Sequence, residues 1–264
     1  MNMKIMPRTF HPYHLVEASP WPLLMAFSLL SFAIGLVTWI TNLHANLIPH
    51  ILIISLIAIL WWKDVLRESA GGYHTVVVQK GITIGFLLFL ITEIMLFFSF
   101  FWAFFHSSLA PAVDIGSVWP PKGINAVNPW SIPLLGSSVL LASGFVLTLS
   151  HHAMILGNKD LAIISMIITI FLGFFFIFLQ ANEYYMGEFT IADSIFGTVF
   201  YTTTGLHAIH VIAGVTFLTV ALIRMYLDSF TTEHHLGLEF AIFYWHLVDV
   251  VWLFVFFSYY WWGG

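Results

Sequence analysis

Hydrophobic positions in this chain run in long unbroken blocks, without the strict alternation of a half-buried strand, and the polar residues gather between the blocks. A helix needs roughly 20 apolar residues to cross a hydrocarbon core of about 30 Å. Seven blocks meet or approach that length, at 21–40, 47–62, 81–105, 133–151, 160–180, 194–226 and 239–262. The second is short and begins around Pro49, while the sixth is longer than a bilayer requires and is expected to tilt or project beyond it. Helices are the only spanning elements expected, because lipid cannot satisfy the open edge of a sheet. The Pro-, Gly- and Ser-rich stretch 106–132 reads as a folded connector, and no internal repeat or linker divides the chain. The expected fold is therefore an all-α integral membrane protein with seven transmembrane helices, forming one domain over 1–264.

Charge fixes how these spans alternate. Seven crossings place the N-terminal tail on the same side as the loops near 63–80, 151–159 and 224–238. That side collects Lys4, Arg8, Lys63, Arg67, Lys80, Lys159 and Arg224, seven of the eight Lys and Arg, and leaves only Lys122 opposite. The positive-inside rule then puts the N-terminus on the matrix or cytoplasmic side. Asp114, Glu183, Glu188 and Asp193 fall on the other side. Trp119, Trp130, Tyr184, Tyr185, Tyr259, Tyr260, Trp261 and Trp262 sit near the expected boundaries as interfacial anchors.

Composition agrees with lipid as the solvent, since 60% of the residues are hydrophobic and 8% charged, against roughly a quarter charged in soluble domains. There is no basic stripe for nucleic acid. The absence of cysteine excludes a disulfide framework, an iron–sulfur cluster and thiolate-bound zinc or copper. The first twenty residues carry neither an Arg-rich presequence nor a cleavable apolar leader, so the expected home is a bacterial inner membrane or an organelle that makes the protein itself.

Two acids lie within spans, Glu93 near the bilayer midplane and Asp249 ten residues into the last block. Such groups face the bundle interior, pair with a neighbour, or stay protonated. Phe86, Phe89, Leu90, Leu96, Phe97 and Phe100 share the helical face of Glu93, so a neutral acid is expected, serving either as a polar contact between helices or in proton movement. His207, His210 and His246 are the credible metal ligands. By residue count their depths differ by roughly 10–15 Å, too far for one haem iron, and His246 with Asp249 reads as an i, i+3 pair. His151 with His152, and His234 with His235, fall at loop positions and are expected to be solvated. The segment WWKDVLRESAGGYHT, 61–75, sets Trp61 and Trp62 beside Arg67, Glu68 and His74. This is either a lipid headgroup site or an ordinary aromatic and basic boundary.

Long motifs then carry a resemblance: HPYHLVEASPWPL, WWKDVLRES, ITEIMLFFSFFWAFFHSSLAP, WPPKGI, LLASG, HHAM, LQANEYY, TTTGLHAIHVIAG and YWHLVDVVWLFVFFSYYWWGG. Together they resemble, nearly end to end, subunit III of the haem-copper cytochrome c oxidases of the mitochondrially encoded type. The resemblance implies seven helices, the first two splayed from the other five by a V-shaped cleft holding phospholipids. It also implies that haem a, haem a3 and copper lie in partner subunits, with none bound by this chain. Subunits I and II, small accessory subunits and structural phospholipids are the implied partners. The implied place is the mitochondrial inner membrane, with the N-terminus in the matrix and the C-terminus in the intermembrane space.

By the same resemblance, Glu93 matches a buried carboxylate that reacts with carbodiimide. Trp62, Arg67, Glu68, His74, Phe89 and Arg224 match lipid-holding positions, and His11 and His14 match a proton antenna. The 70–75 loop is one residue shorter than is usual in that family, with Tyr73 where a histidine is common. The competing readings are a haem carrier using His207, His210 and His246, and a transporter coupled through Glu93. The transporter reading lacks the broken helices and inverted repeat expected of one.

Overall fold

In a computed structural model the described residues are 11–41 and 46–264. Lys4 and Arg8, which contribute to the charge argument, lie outside them. Seven helices are long and apolar enough to cross a membrane: α1 (Trp21–Ile40), α2 (Ile48–Ala70), α3 (Val76–Leu109), α4 (Ile132–Ile155), α5 (Lys159–Met186), α6 (Ser194–Tyr226) and α7 (Leu236–Val255). The last continues as π-helix through Phe256–Trp262, and a 3-10 turn at Val113–Ile115 interrupts the α3–α4 connector. No strand occurs among the described residues, so the all-α membrane fold stands as the sequence predicts.

The sixth block matches its helix residue for residue, whereas α2, α3, α4 and α5 overrun theirs. Hydropathy marks the part of a helix that lipid covers, but local chemistry decides where the helix stops. Proline enters the first turn of α1, α2 and α4, where its missing N–H is not needed. At the start of α5, the Asn158 side chain accepts a hydrogen bond from the Leu161 amide at 3.1 Å. Helix α2 runs eight residues past the expected 62 because Lys63, Leu66, Arg67 and Glu68 are good helix formers. It ends on a Schellman turn, with Gly72 at φ 80°, the Gly72 amide on Ser69 O at 3.0 Å and the Tyr73 amide on Glu68 O at 3.2 Å.

The described residues up to Leu87 and those from Leu88 onward form two compact units, the division falling inside α3. In the first, the Trp21 indole donates to Asp64 Oδ2 at 2.7 Å. The start of α1 therefore lies beside the end of α2, and the two helices run antiparallel. The second unit has a packed core. Trp245 on α7 is fully buried, and a Cβ added to Gly173 of α5 or Gly214 of α6 would come within 2.7 or 2.8 Å of its ring. Its indole donates to Ser143 Oγ of α4 at 2.9 Å. One turn pair further along, Trp252 donates to Ser137 Oγ at 3.0 Å. Lipid offers no hydrophobic drive between helices, so small residues that admit large rings, with a hydroxyl for each indole, are what hold these four together.

Several expected positions move inward. Tyr259 and Tyr260, expected at the boundary, are each 1% exposed. Tyr259 meets Thr203 Oγ1 at 2.8 Å, and Tyr260 donates to Glu183 Oε1 at 2.6 Å. Glu183, expected among the acids on the water-facing side, is buried on α5, because the helix extends six residues beyond the apolar block. His152 and His234 are exposed, as the sequence suggests, whereas His151 is half-buried on the last turns of α4 and His235 is buried at the entry to α7.

Candidate functional site

The first candidate site lies in the first unit, and the Schellman turn builds it. Reversing the chain at Gly72 brings Tyr73 and His74 back over the last turn of α2, where Glu68 sits. The stretch before α1 then crosses the same place. His14 stacks on Tyr73 with ring centroids 5.2 Å apart, meets His74 edge-on at 6.0 Å, and lies 3.9 Å from Glu68 by its Nδ1. The Thr75 hydroxyl donates to Pro12 O at 2.5 Å, and the Gln79 amide donates to His74 O at 2.9 Å. One ligand atom each from His14, Glu68 and His74 falls within a 4.8 Å group. Burial lowers the pKa of His74 below the usual histidine value; the proximity of His14 adds to this, and Glu68 opposes it.

Around that cluster, Trp62 is 65% exposed and Arg67 reaches out with one anchor, Asp64 Oδ1 at 3.3 Å. The structure thus gathers Glu68, His74 and His14, with Trp62 and Arg67 on the same end of α2. His11 is exposed nearby in sequence, its ring 6.4 Å from that of Tyr13. Chemically, this is a patch where imidazoles and a carboxylate can pass a proton, flanked by a guanidinium and an indole suited to a phosphate and its acyl chain.

The second candidate site lies in the other unit, around Glu93. Its Oε2 is 2.6 Å from His210 Nε2, and His210 Nδ1 is 2.8 Å from Leu206 O. A carbonyl can only accept, so Nδ1 carries a proton and points it at Leu206. A single further proton then lies between Nε2 and the carboxyl, and the pair has no net charge whichever partner holds it. Phe97 meets the His210 ring edge-on at 4.9 Å, Tyr244 stacks on it at 6.4 Å, and Phe89 stacks on Tyr244 at 6.3 Å. The apolar face expected around Glu93 is there, but a polar partner from α6 faces it as well. No pattern on the helix of Glu93 signals that partner, which lies 117 residues away.

The other sequence candidates separate. Arg224 packs its guanidinium 4.4 Å from the Phe230 ring and against Gly237, where an added Cβ would meet it at 2.6 Å. His207 is fully buried, with Nε2 3.2 Å from Val248 O. His246 Nδ1 lies 3.9 Å from Asp249 Oδ2, which is beyond hydrogen-bond length, and Asp249 Oδ1 has no hydrogen-bond partner. The i, i+3 pair is therefore adjacent without satisfying its own polar groups. His210 is poorly placed as a haem ligand, since both of its ring nitrogens are engaged within the protein.

Comparison with known proteins agrees with the motifs. The family model described as cytochrome c oxidase subunit III matches residues 11–264. A cytochrome c oxidase subunit 3 from Arabidopsis thaliana is 50% identical over 260 residues, 96% of this chain and 97% of that one. Those from Scyliorhinus canicula and Oryctolagus cuniculus are each 49% identical, over 257 and 260 residues, covering 96% of this chain and 98% of theirs. With seven membrane-length helices, a family match over nearly the whole length and half of all positions identical to these relatives, the chain belongs to the cytochrome c oxidase subunit III family, whose members are subunits of an oxidoreductase complex.

Proposed function

We propose that this chain is a core subunit without a redox centre of its own. It supports electron transfer from cytochrome c to oxygen, coupled to proton pumping, by stabilising subunit I, holding structural phospholipids and assisting proton uptake. Haem a, haem a3 and copper then reside in subunits I and II, and the complex sits in the mitochondrial inner membrane with the N-terminus of this chain in the matrix. The observation that carries this reading is the cluster of His14, Glu68, Tyr73 and His74 at the end of α2, flanked by the outward-reaching Trp62 and Arg67. Arg67 and Trp62 suit a phosphate headgroup and the glycerol and acyl region below it. Phe89 and Arg224 extend the lipid-holding set in the second unit. His11 and His14 are the proton-antenna residues of this reading, with Glu68 and His74 gathered beside His14.

Arg67→Ala combined with Arg224→Ala in the assembled oxidase tests the lipid reading. Loss of bound phospholipid by mass spectrometry, with faster inactivation during turnover, is expected. Unchanged lipid content and unchanged durability would remove these arginines from the role.

A further inference from the structure

On the side of the second unit where α4 ends and α7 begins, three side chains converge that none of the roles above uses. His151 comes from the last turns of α4, His235 immediately precedes α7, and Glu239 lies in the first turn of α7. One ligand atom from each falls within a 4.8 Å group, and the His151 and His235 rings lie 5.6 Å apart, edge to face. His235 is buried, and its Nδ1 lies 3.0 Å from Thr231 O. A carbonyl accepts only, so the proton of the neutral ring is on Nδ1, and Nε2 presents a bare lone pair. That lone pair lies 3.5 Å from Glu239 Oε1. Two electron-rich atoms held face to face need a cation between them, either a proton or a metal ion.

The third member discriminates between these. A proton joins two atoms, but a ring nitrogen of His151 lies in the same group, and His151 Nε2 is buried with no hydrogen-bond partner. A ring whose outer nitrogen is pinned to a backbone carbonyl while the inner one points at a carboxylate is the usual bearing of a metal-ligating histidine. Ligand atoms around a tetrahedral zinc ion at about 2.0–2.2 Å stand roughly 3.3 Å from one another, close to the His235–Glu239 separation. Two imidazoles and a carboxylate, with a fourth position left to water, form a donor set that suits Zn2+ over Mg2+ or Ca2+. We propose that His151, His235 and Glu239 form a binding site for a borderline divalent transition metal ion, Zn2+ foremost, which ties the end of α4 to the start of α7.

The test uses the purified oxidase complex, with Zn2+ alone as the probe. After equilibrium dialysis against buffered Zn2+, elemental analysis should find one more equivalent per complex in the native form than in His151→Ala or Glu239→Gln. X-ray absorption at the zinc edge of the difference should carry imidazole scattering. Loss of one protein ligand should weaken that equivalent by at least about 100-fold, given that disturbing an outer-shell partner alone costs 10- to 100-fold. Equal uptake and affinity in the native complex and both variants would overturn the proposal. Should a variant not assemble, the native complex answers by itself. Its zinc-edge spectrum, taken as the difference on adding one equivalent of Zn2+, should carry scattering from two imidazoles, and a difference without imidazole scattering would overturn the site.

Discussion

At Glu93 a single residue decides between two electrostatic states. Sequence alone leaves the acid in an apolar setting, whereas the fold supplies His210 Nε2 at 2.6 Å. Because Leu206 O fixes the His210 Nδ1 proton, Glu93→Gln can keep the contact, its amide donating to Nε2. Near-native assembly is expected, and loss of this chain from the variant complex would show that the pair is ionised and held by its charge. His210→Ala is the harsher change, since it leaves a partly buried carboxyl without its partner, at a cost of up to about 1–3 kcal/mol. Loss of this chain from the complex at lower temperature or lower detergent, relative to Glu93→Gln, is the measurement. Equal retention of the two variants would mean that the pair contributes nothing to packing.

Between elements, shape outweighs polarity. The Trp245 indole hydrogen bond to Ser143 is of a kind that averages about 0.6 kcal/mol between helices in a membrane. Overpacking a tight interior costs about 1–3 kcal/mol, and Gly214 leaves no room for a Cβ beside the ring. Gly214→Val should therefore lower the thermal midpoint of the assembled subunit more than Ser143→Ala, and the reverse order would show that the hydrogen bond dominates. The α2–α3 turn gives a prediction in pH. His74 has its pKa lowered in the fold, so the folded turn binds fewer protons than the open chain, and its stability rises with pH across that interval. The contribution is fully present above the ordinary histidine value of about 6.5 and is lost as pH falls through it towards the lowered one. Protection factors for amide exchange at 71–75, corrected for the intrinsic pH dependence of exchange, should fall below that pH, and His74→Gln should flatten the dependence.

For the molecule as a whole, the matter to test is orientation. Seven membrane-length helices are expected to put the two ends of the chain on opposite faces of the bilayer, and the proposed orientation puts the loop 227–235 in the matrix and the connector 110–131 in the intermembrane space. The chain contains no cysteine, so single introduced thiols report cleanly when mapped by peptide mass. Ser117 and Ser229 are both exposed in these loops. In intact inner-membrane vesicles of known sidedness, an impermeant maleimide should label Ser117→Cys and Ser229→Cys from opposite sides. Labelling of both from one side would break the span count or the charge argument.

Sequence by itself determined that the chain is a seven-helix membrane protein of the oxidase subunit III family. Unbroken apolar blocks and long contiguous motifs survive any detail of packing, and the bilayer leaves helices as the only way to bury their backbone. It also placed Glu68, Arg67, Trp62 and His74 together, because one helix turn and one Gly-Gly stop separate them. Only tertiary structure decided which polar groups meet across helices. His210 reaches Glu93, Tyr260 reaches Glu183, and His151 joins His235 and Glu239, each across dozens of residues or more. A helix repeats every 3.6 residues and so reveals its own faces. Which face of which other helix lies opposite is settled by how rings such as Trp245 fit against small residues such as Gly173 and Gly214, and no periodicity within one segment encodes that fit.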